Sequence, residues 1–336
     1  MSSNDKTFNI KLQKGYEVSN TIKNDTTWIE EKSPYIITEP ISIYRGTTLT
    51  IEPGVIVKFH DNTSIEATSD VETDSPAKLI IKGTSFSPVK FTSMSQTPKL
   101  DSWEGIKIDK NDEIENFIIE YAKNGIETIM ENYKYYKVNT YKNIVVRYCE
   151  TGLKGLIKIE NGIIENCTIG SYPNYSSTGY SSIEYEYTNV LFQNNDYGIY
   201  SCKSGYQTQK IIIHDCSFEN ISEYGIYSES FILEHNIYNS SFKKNNIGAY
   251  LRNKITLMYN CNFIDNRGLA FDRYSTHYRA TGFNNLFKLY ISNNNGIYGI
   301  DETTDSSSGQ YKSNDGITVL SSPNYNCGAS WNGLNY

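Results

Sequence analysis

Residues 211–227 read IIIHDCSFENISEYGIY. His214, Asp215 and Cys216 are adjacent in this stretch, and these residue types are used in nucleophilic catalysis. The same stretch also shows a pattern: an apolar residue, two polar or aromatic residues, a small residue, and later a glycine followed by an apolar residue. If the pattern recurs, His-Asp-Cys belongs to a repeat, and a reactive centre is the weaker interpretation.

The pattern does recur through the middle of the chain. Its closing glycine appears in YGIY at 197–200 and again at 224–227. Short runs of Ile, Val, Tyr and Phe alternate with Asn, Gly, Asp and Ser, which is typical of strands. A period of about 23 residues built from short strands predicts an all-β fold, a single-stranded right-handed parallel β-helix whose coils contact only their neighbours. The small residue of the pattern falls at Ala122, Cys149, Cys167, Val190, Cys216, Ser240 and Cys261.

This repeat gives His-Asp-Cys a structural interpretation. We predict that Cys216 lies in an interior column of small side chains, and that His214 faces solvent because it aligns with varied long side chains. Side chains in one column point the same way, so we predict that the six cysteines are free thiols, with Cys149 and Cys167 the pair nearest to a disulfide arrangement. No CxxC occurs, which argues against a zinc site.

Asparagine recurs just before the small column. Stacked Asn side chains can hydrogen-bond from one coil to the next, so these positions predict a structural ladder of amides. The predicted members are Asn166, Asn189, Asn239 and Asn260.

The N-terminal half contains a more specific set of motifs. They are TTWIEEKSPYIIT at 26–38, GTTLTIEPGVIVKF at 46–59, AKLIIKGTSFSPVKFTS at 77–93 and SWEGIKI at 102–108. Together they resemble the first coils of bacterial right-handed parallel β-helix repeat proteins in the pectin-lyase-like group. The resemblance is looser over 127–300, and it implies the same fold that the repeat predicts.

An open end of a solenoid exposes its core, so both ends need a cap. We predict an N-terminal cap at 1–33, a parallel β-helix at 34–300, and a polar linker with a C-terminal cap or assembly tail at 301–336. The tail itself, 317–336, is apolar and aromatic. It either folds back as the second cap or docks on another subunit.

In its enzymatic members the pectin-lyase-like fold implies activity on a polysaccharide laid along one face. A lyase needs a base beside calcium-binding Asp residues, and a hydrolase needs paired carboxylates. The sequence has no N-T-D, D-D, G-H-G or R-I-K run and no Asp-rich calcium loop. We therefore predict no catalytic residue, no metal site and no cofactor, and Ca²⁺ has no support in the sequence.

Two kinds of segment are candidates for binding. The stretch FDRYSTHYRATGF at 271–283 is the densest polar segment, and it could bind sugars or be a solvated insertion whose charges pair with one another. The insertions at 127–143 and 170–187 are rich in Tyr, and we predict that they lie on the coil periphery. They are either recognition loops or a reflection of a high background of Tyr and Asn from an AT-rich genome. The predicted substrate-binding residues are Asp272, Arg273, Tyr274, His277, Tyr278 and Arg279.

Charge and hydropathy restrict the partners. The net charge of −7 without a basic stripe argues against nucleic acid. No apolar run is long enough for a membrane helix, and no signal peptide is apparent at the start. We predict an extracellular or cell-surface location, with a virion-associated protein as the alternative.

The sequence as a whole predicts a non-catalytic scaffold or adhesin that presents Tyr-rich loops to a glycan or a protein. Three alternatives stay open: a polysaccharide lyase or hydrolase, a phage or virion receptor-binding spike, and a subunit of a surface filament that self-associates through 317–336.

Overall fold

The computed structural model describes residues 15–67, 76–109, 112–128, 140–155, 157–173, 183–202, 209–229, 233–252, 255–267, 271–273, 285–292, 297–298, 307–312 and 319–322. Within these ranges the regular structure consists of strands and the one-turn 3₁₀ helix Glu30–Lys32. The strands form two sheets, which we call sheet A and sheet B.

Sheet A has 19 strands. They are Tyr16–Val18, Thr26–Trp28, Tyr35–Ile37, Thr48–Ile51, Ile56–Phe59, Lys78–Lys82, Val89–Ser93, Glu113–Glu120, Thr140–Arg147, Lys158–Glu165, Ile183–Gln193, Gln209–His214, Ser217–Glu219, Leu233–Tyr238, Ser241–Lys243, Ile255–Ile264, Asn285–Ser292, Ser307–Lys312 and Val319–Ser322. Sheet B has 11 strands. They are Ile41–Ile43, Ser64–Ala67, Trp103–Ile108, Ala122–Thr128, Thr151–Lys154, Ile169–Tyr172, Tyr197–Cys202, Tyr224–Glu229, Ile247–Arg252, Phe271–Arg273 and Ile297–Tyr298.

The pairing of these strands is that of a parallel β-helix. Each strand pairs in parallel with the strand one coil further on, as Tyr197–Cys202 does with Tyr224–Glu229. The exception among the described strands is the last pair, Ser307–Lys312 with Val319–Ser322, which is antiparallel. The all-β parallel β-helix predicted from the sequence is therefore confirmed.

Two left-handed backbone positions shape each coil from residue 116 to residue 265. The first bend interrupts sheet A, and the second bend follows five residues later and leads towards sheet B. Asn and Asp tolerate this conformation better than other residues with a Cβ, which accounts for much of the asparagine content. The first-bend residues are Asn116, Asn143, Asn161, Asn189, Asp215, Asn239 and Asn260. The second-bend residues are Tyr121, Tyr148, Asn166, Asn194, Asn220, Lys244 and Asp265.

The predicted single column of small residues is wrong in its register. Val190, Cys216, Ser240 and Cys261 follow the first bend, whereas Ala122, Cys149 and Cys167 follow the second. Both bends are followed by an inward-pointing residue of small or moderate size. The sequence alignment of the repeats therefore placed second-bend residues of the earlier coils in one column with first-bend residues of the later coils, a shift of five residues. The interior position of the four thiols is confirmed, since Cys149, Cys167, Cys216 and Cys261 are buried and free.

The two bends carry two different amide ladders. On the outside, Asn189 donates to Asn161 at 2.7 Å and Asn161 donates to Asn143 at 3.2 Å. Asn260 donates in the same way to Asn239 at 2.9 Å. The predicted ladder is thus confirmed for three of its four members, whereas Asn166 belongs to the second bend.

The second ladder is interior and was not predicted. Asn195 accepts the Cys167 backbone N–H at 2.8 Å and donates to the Ile164 carbonyl at 2.9 Å. Asn245 and Asn266 are also buried and make equivalent bonds in later coils. These amides satisfy backbone N–H and carbonyl groups at the turn between the two sheets.

Aromatic stacking dominates the core of the C-terminal coils. The rings of Phe192, Phe218, Phe242 and Phe263 lie within 4° of parallel, with successive centroids 4.9, 4.8 and 4.6 Å apart. This spacing is that of neighbouring strands in a sheet. The parallel register therefore places like residues on top of one another and buries the rings of Phe218 and Phe242 between two others.

One carboxylate on the outer face of sheet A is almost fully enclosed by cations. The Glu120 side chain is 6% exposed and lies 2.9 Å from Lys90 Nζ, with Arg147 Nε at 2.8 Å. Thr92 donates to the same carboxylate at 3.0 Å. Burial alone would raise the pKa of Glu120, but the hydrogen bonds from Lys90 and Arg147 outweigh it and lower the pKa.

Removing this carboxylate should destabilise the middle coils. Glu120→Ala leaves Lys90 and Arg147 without their buried partner, and since both cations are partly exposed we expect a loss of about 2 kcal/mol in unfolding free energy. Urea unfolding at pH 7 measures it. Glu115→Ala is the control, because Glu115 is exposed on the same strand, and equal losses in the two variants would contradict the prediction.

The ends of the described chain bear on the predicted domains without testing them. Tyr16–Val18 pairs with Tyr35–Ile37, and Ser307–Lys312 pairs with Asn285–Ser292. Sheet pairing therefore reaches into both terminal segments. Residues 1–14 and 323–336 lie outside the described residues, so the caps and the assembly tail stay predictions.

Candidate binding surface

The His-Asp-Cys stretch is structural. His214 is 43% exposed, with Nδ1 3.3 Å from Asp215 Oδ2. Cys216 points inward, and its Sγ donates to the carbonyls of Tyr187 and His214 at 3.3 and 3.2 Å. Burial raises the pKa of the Cys216 thiol to about 12. Such a thiol is not ionised at neutral pH. The Cys216 thiol points into the core, whereas the His214 imidazole is exposed, so the two groups do not form a reactive pair.

A pair of carboxylates near the loop after Ile108 is also structural. Asp112 is completely buried and accepts the backbone N–H of Leu79 at 2.6 Å and of Asp109 at 2.7 Å. Burial raises the pKa of Asp112 to about 7. A substrate has no access to this carboxyl group, so its raised pKa reflects a buried backbone acceptor.

The predicted sugar-binding cluster is only partly within the described residues. Asp272 and Arg273 lie in the sheet B strand Phe271–Arg273, where Asp272 pairs with Tyr250 and Arg273 pairs with Leu251. Tyr274, His277, Tyr278 and Arg279 lie outside the described residues. The cluster therefore stays a prediction.

The Tyr-rich insertions differ from their predicted role where they are described. Tyr141, Tyr185 and Tyr187 are fully buried in the core. Tyr187 hydrogen-bonds to Ser171 across 2.7 Å. Strand alternation decides this, because these tyrosines occupy inward-facing positions of sheet A. The remaining tyrosines of the insertions, apart from Tyr172, fall outside the described residues.

A group of half-buried tyrosines lies instead on the outer face of sheet B. They come from the repeated YGIY motifs and their equivalents, in which the first and fourth residues face outward and the middle two are buried. We call this surface the tyrosine face. Its members, all half-buried, are Tyr172, Tyr197, Tyr200, Tyr224, Tyr227 and Tyr250.

The tyrosine face is a rigid ladder. Tyr200 stacks on Tyr227 with centroids 5.2 Å apart, and Tyr227 stacks on Tyr250 at 5.0 Å, each at 10°. Tyr197 and Tyr224 form a second column beside it, and Tyr224 meets Tyr227 edge-on at 5.0 Å. Because the rings cover one another's faces, the surface presents ring edges and hydroxyl groups to solvent.

The central phenols, those of Tyr200 and Tyr227, keep their proton at neutral pH. A hydrogen bond with Cys202, together with burial, raises the pKa of Tyr200 to about 12. Burial and the neighbouring Glu229 raise the pKa of Tyr227, whose hydroxyl donates to Glu229 Oε2 at 2.8 Å. Asp196 and Glu223 are exposed beside Tyr197 and Tyr224, so one edge of the face is acidic.

The described part of the chain contains no group of three or more His, Cys, Asp or Glu side chains arranged to hold a metal ion. Nor does any helix within it reach the length and hydropathy that a membrane span requires. The prediction that the protein needs no cofactor remains a prediction.

The fold and these surfaces define a parallel β-helix protein. Residues 20–127 match a family described as pectate-lyase like beta helix domain, which confirms the resemblance drawn from the N-terminal motifs. Searches of curated proteins and of solved structures gave no significant match. The family match covers the first coils, and the tyrosine face lies beyond it.

Proposed function

We propose that the protein is a non-catalytic extracellular or cell-surface scaffold of the adhesin type, which binds a protein partner through the tyrosine face. The observation that carries the proposal is the set of six half-exposed tyrosines on consecutive coils of one sheet face. Tyr is enriched in protein interfaces because it offers a large, amphipathic contact area at low entropic cost.

The geometry of the face favours a protein over a glycan. A sugar stacks on the flat face of an aromatic ring, but here Tyr200, Tyr227 and Tyr250 cover one another. The hydroxyl lone pairs and the acidic edge at Asp196 and Glu223 suit a partner with N–H donors and basic side chains. The ladder is already ordered, so binding costs little side-chain entropy.

Two further parts of the proposal concern segments whose side chains are outside the described part of the structure. Glycan binding by Asp272, Arg273 and their neighbours belongs to it, as does self-association through 317–336. A polysaccharide lyase or hydrolase is the alternative. Asp112, the candidate general acid, and Cys216, the candidate nucleophile, do not support it, because both side chains are buried.

The test compares the wild type with a Tyr200→Ser/Tyr227→Ser variant on an array of purified secreted and cell-surface proteins. Loss of two central interface tyrosines is worth about 2 kcal/mol or more, so we expect affinity for the bound proteins to fall at least thirty-fold. Tyr238→Ser is the matched control, because Tyr238 is a half-buried tyrosine on sheet A. It should bind as the wild type does.

Two outcomes would overturn the proposal. One is an array on which no protein binds, or on which the double variant binds as tightly as the wild type while retaining its circular dichroism spectrum. The other is release of unsaturated or reducing sugar from a panel of acidic polysaccharides, which would make the protein an enzyme.

A further inference from the structure

We infer that a groove along the first bend of sheet A binds a neutral, extended oligosaccharide. The groove has a volume of about 660 Å³ and crosses the coils from Thr84 to Ser217. Small-ligand sites have volumes of about 300–1,000 Å³. It lies on sheet A, so the inference goes beyond the proposed function and does not depend on it.

One edge of the groove is a row of amides. Asn143, Asn161 and Asn189 line it, and they are joined by the outer ladder. Asn161 donates one N–H to Asn143 and accepts from Asn189 with one lone pair of its oxygen. A carboxamide has a second N–H and a second lone pair, and these are left for a ligand. The row therefore offers a donor and an acceptor at every coil, held in place by the ladder itself.

A second column of lining residues, two positions further along the same strands, is apolar. Parallel pairing places Ile118, Val145, Ile163 and Leu191 in one column on the outer face. Ile163 is 38% exposed, so this column presents apolar surface to the solvent. An amide row beside an aliphatic column matches a sugar chain, which has hydroxyl groups at its edges and C–H groups on its faces.

The charge of the groove excludes the more common polyanionic ligands. Among its described lining residues, Asp215 carries the one ionisable side chain, and no Lys, Arg or His lines it. A polyuronate would bring a carboxylate at each unit with no cation to neutralise it. A peptide strand has no place either, because the strands beneath already pair with the coils on both sides.

The length of the groove points to an extended chain. It is lined by the first-bend residues of five consecutive coils, from Asn116 to Asp215. With strands spaced about 4.8 Å apart, these residues span roughly 19 Å. A ligand that uses the whole groove is therefore an oligomer of several sugar units.

The test is calorimetric titration of the full chain with cellohexaose, xylohexaose and N-acetylated chitohexaose, with hexagalacturonate as the acidic comparison. We expect at least one neutral hexamer to bind and hexagalacturonate not to bind. Ile163→Lys should weaken the binding at least tenfold. Ile56→Lys is the matched control, because Ile56 is 37% exposed in the same sheet but does not line the groove.

The inference fails if no neutral hexamer binds at millimolar concentration, if hexagalacturonate binds more tightly than they do, or if Ile163→Lys binds as the wild type does. Should Ile163→Lys unfold, Asn161→Gly replaces it, because glycine accepts the left-handed conformation at 161 and removes the amide. Titration of the Tyr200→Ser/Tyr227→Ser variant separates this site from the tyrosine face, and its sugar binding should be unchanged.

Discussion

Replacing Gly198 by alanine is expected to destabilise the fold by about 3 kcal/mol. Gly198 belongs to a column of glycines in sheet B, and an added Cβ would lie 2.3 Å from the carbonyl oxygen of Gly225 in the next coil and 2.8 Å from the Phe218 ring. The obstacle on one side is backbone. The coils would have to separate locally, which weakens the hydrogen bonds and the phenylalanine stack beside them.

Gly162→Ala is the control for this prediction. Its Cβ would meet only side-chain atoms, the nearest being Ile159 Cγ2 at 3.1 Å. The equivalent positions in later coils are Val190, Cys216 and Ser240, so this column accepts a larger residue. Urea unfolding followed by circular dichroism should show a large loss for Gly198→Ala and a change below about 1 kcal/mol for Gly162→Ala. Similar losses would show that the glycine column is not set by coil-to-coil contact.

The glycine column also shows what the sequence could predict. The recurrence of a glycine with an apolar neighbour predicted the solenoid, because each coil makes the same close contact with the next coil and needs a small residue at the same position. The phase of the repeat was harder to read. Both bends have a left-handed residue followed by an inward one, so Cys167 at the second bend was aligned with Val190 at the first. The strand pairing in the structure distinguishes the two bends, because Val190 pairs with Gly162 and not with Cys167.

The binding surface was predicted less well, for a related reason. Abundant Tyr in an insertion indicated exposure, but alternation along a strand decides which tyrosines face outward. Tyr185 and Tyr187 are two residues apart and both point inward. The signal for the tyrosine face was present in the two YGIY motifs, where tyrosines three residues apart flank a buried Gly-Ile pair. The groove has no comparable signal, because its residues come from six separate coils.

A buried histidine should make the fold sensitive to acid. His235 lies in the core, and burial lowers its pKa to about 3. In the unfolded chain its pKa is about 6.5, so the unfolded state binds the proton first as the pH falls. The stabilisation of the neutral folded form is complete above pH 6.5 and is lost progressively towards pH 3. The loss reaches on the order of 4 kcal/mol at pH 3.5.

The wild-type profile alone does not isolate this effect, because Asp112 opposes it. The folded pKa of Asp112 is raised to about 7, so the folded state binds that proton first and gains stability as the pH falls from 7 towards 4. A difference between two proteins that both retain Asp112 removes its contribution. His235→Leu is the variant of choice, since Ile211 fills the equivalent position one coil earlier.

We expect His235→Leu to be at least as stable as the wild type at pH 7, and to gain on it by about 4 kcal/mol between pH 7 and pH 3.5. Urea unfolding at half-unit pH steps measures the difference, with His214→Gln as the control for an exposed histidine. His214→Gln should run parallel to the wild type. If His235→Leu also runs parallel, then His235 takes up a proton in the folded state near its ordinary pKa, and its burial in the core does not control the acid stability of the coils.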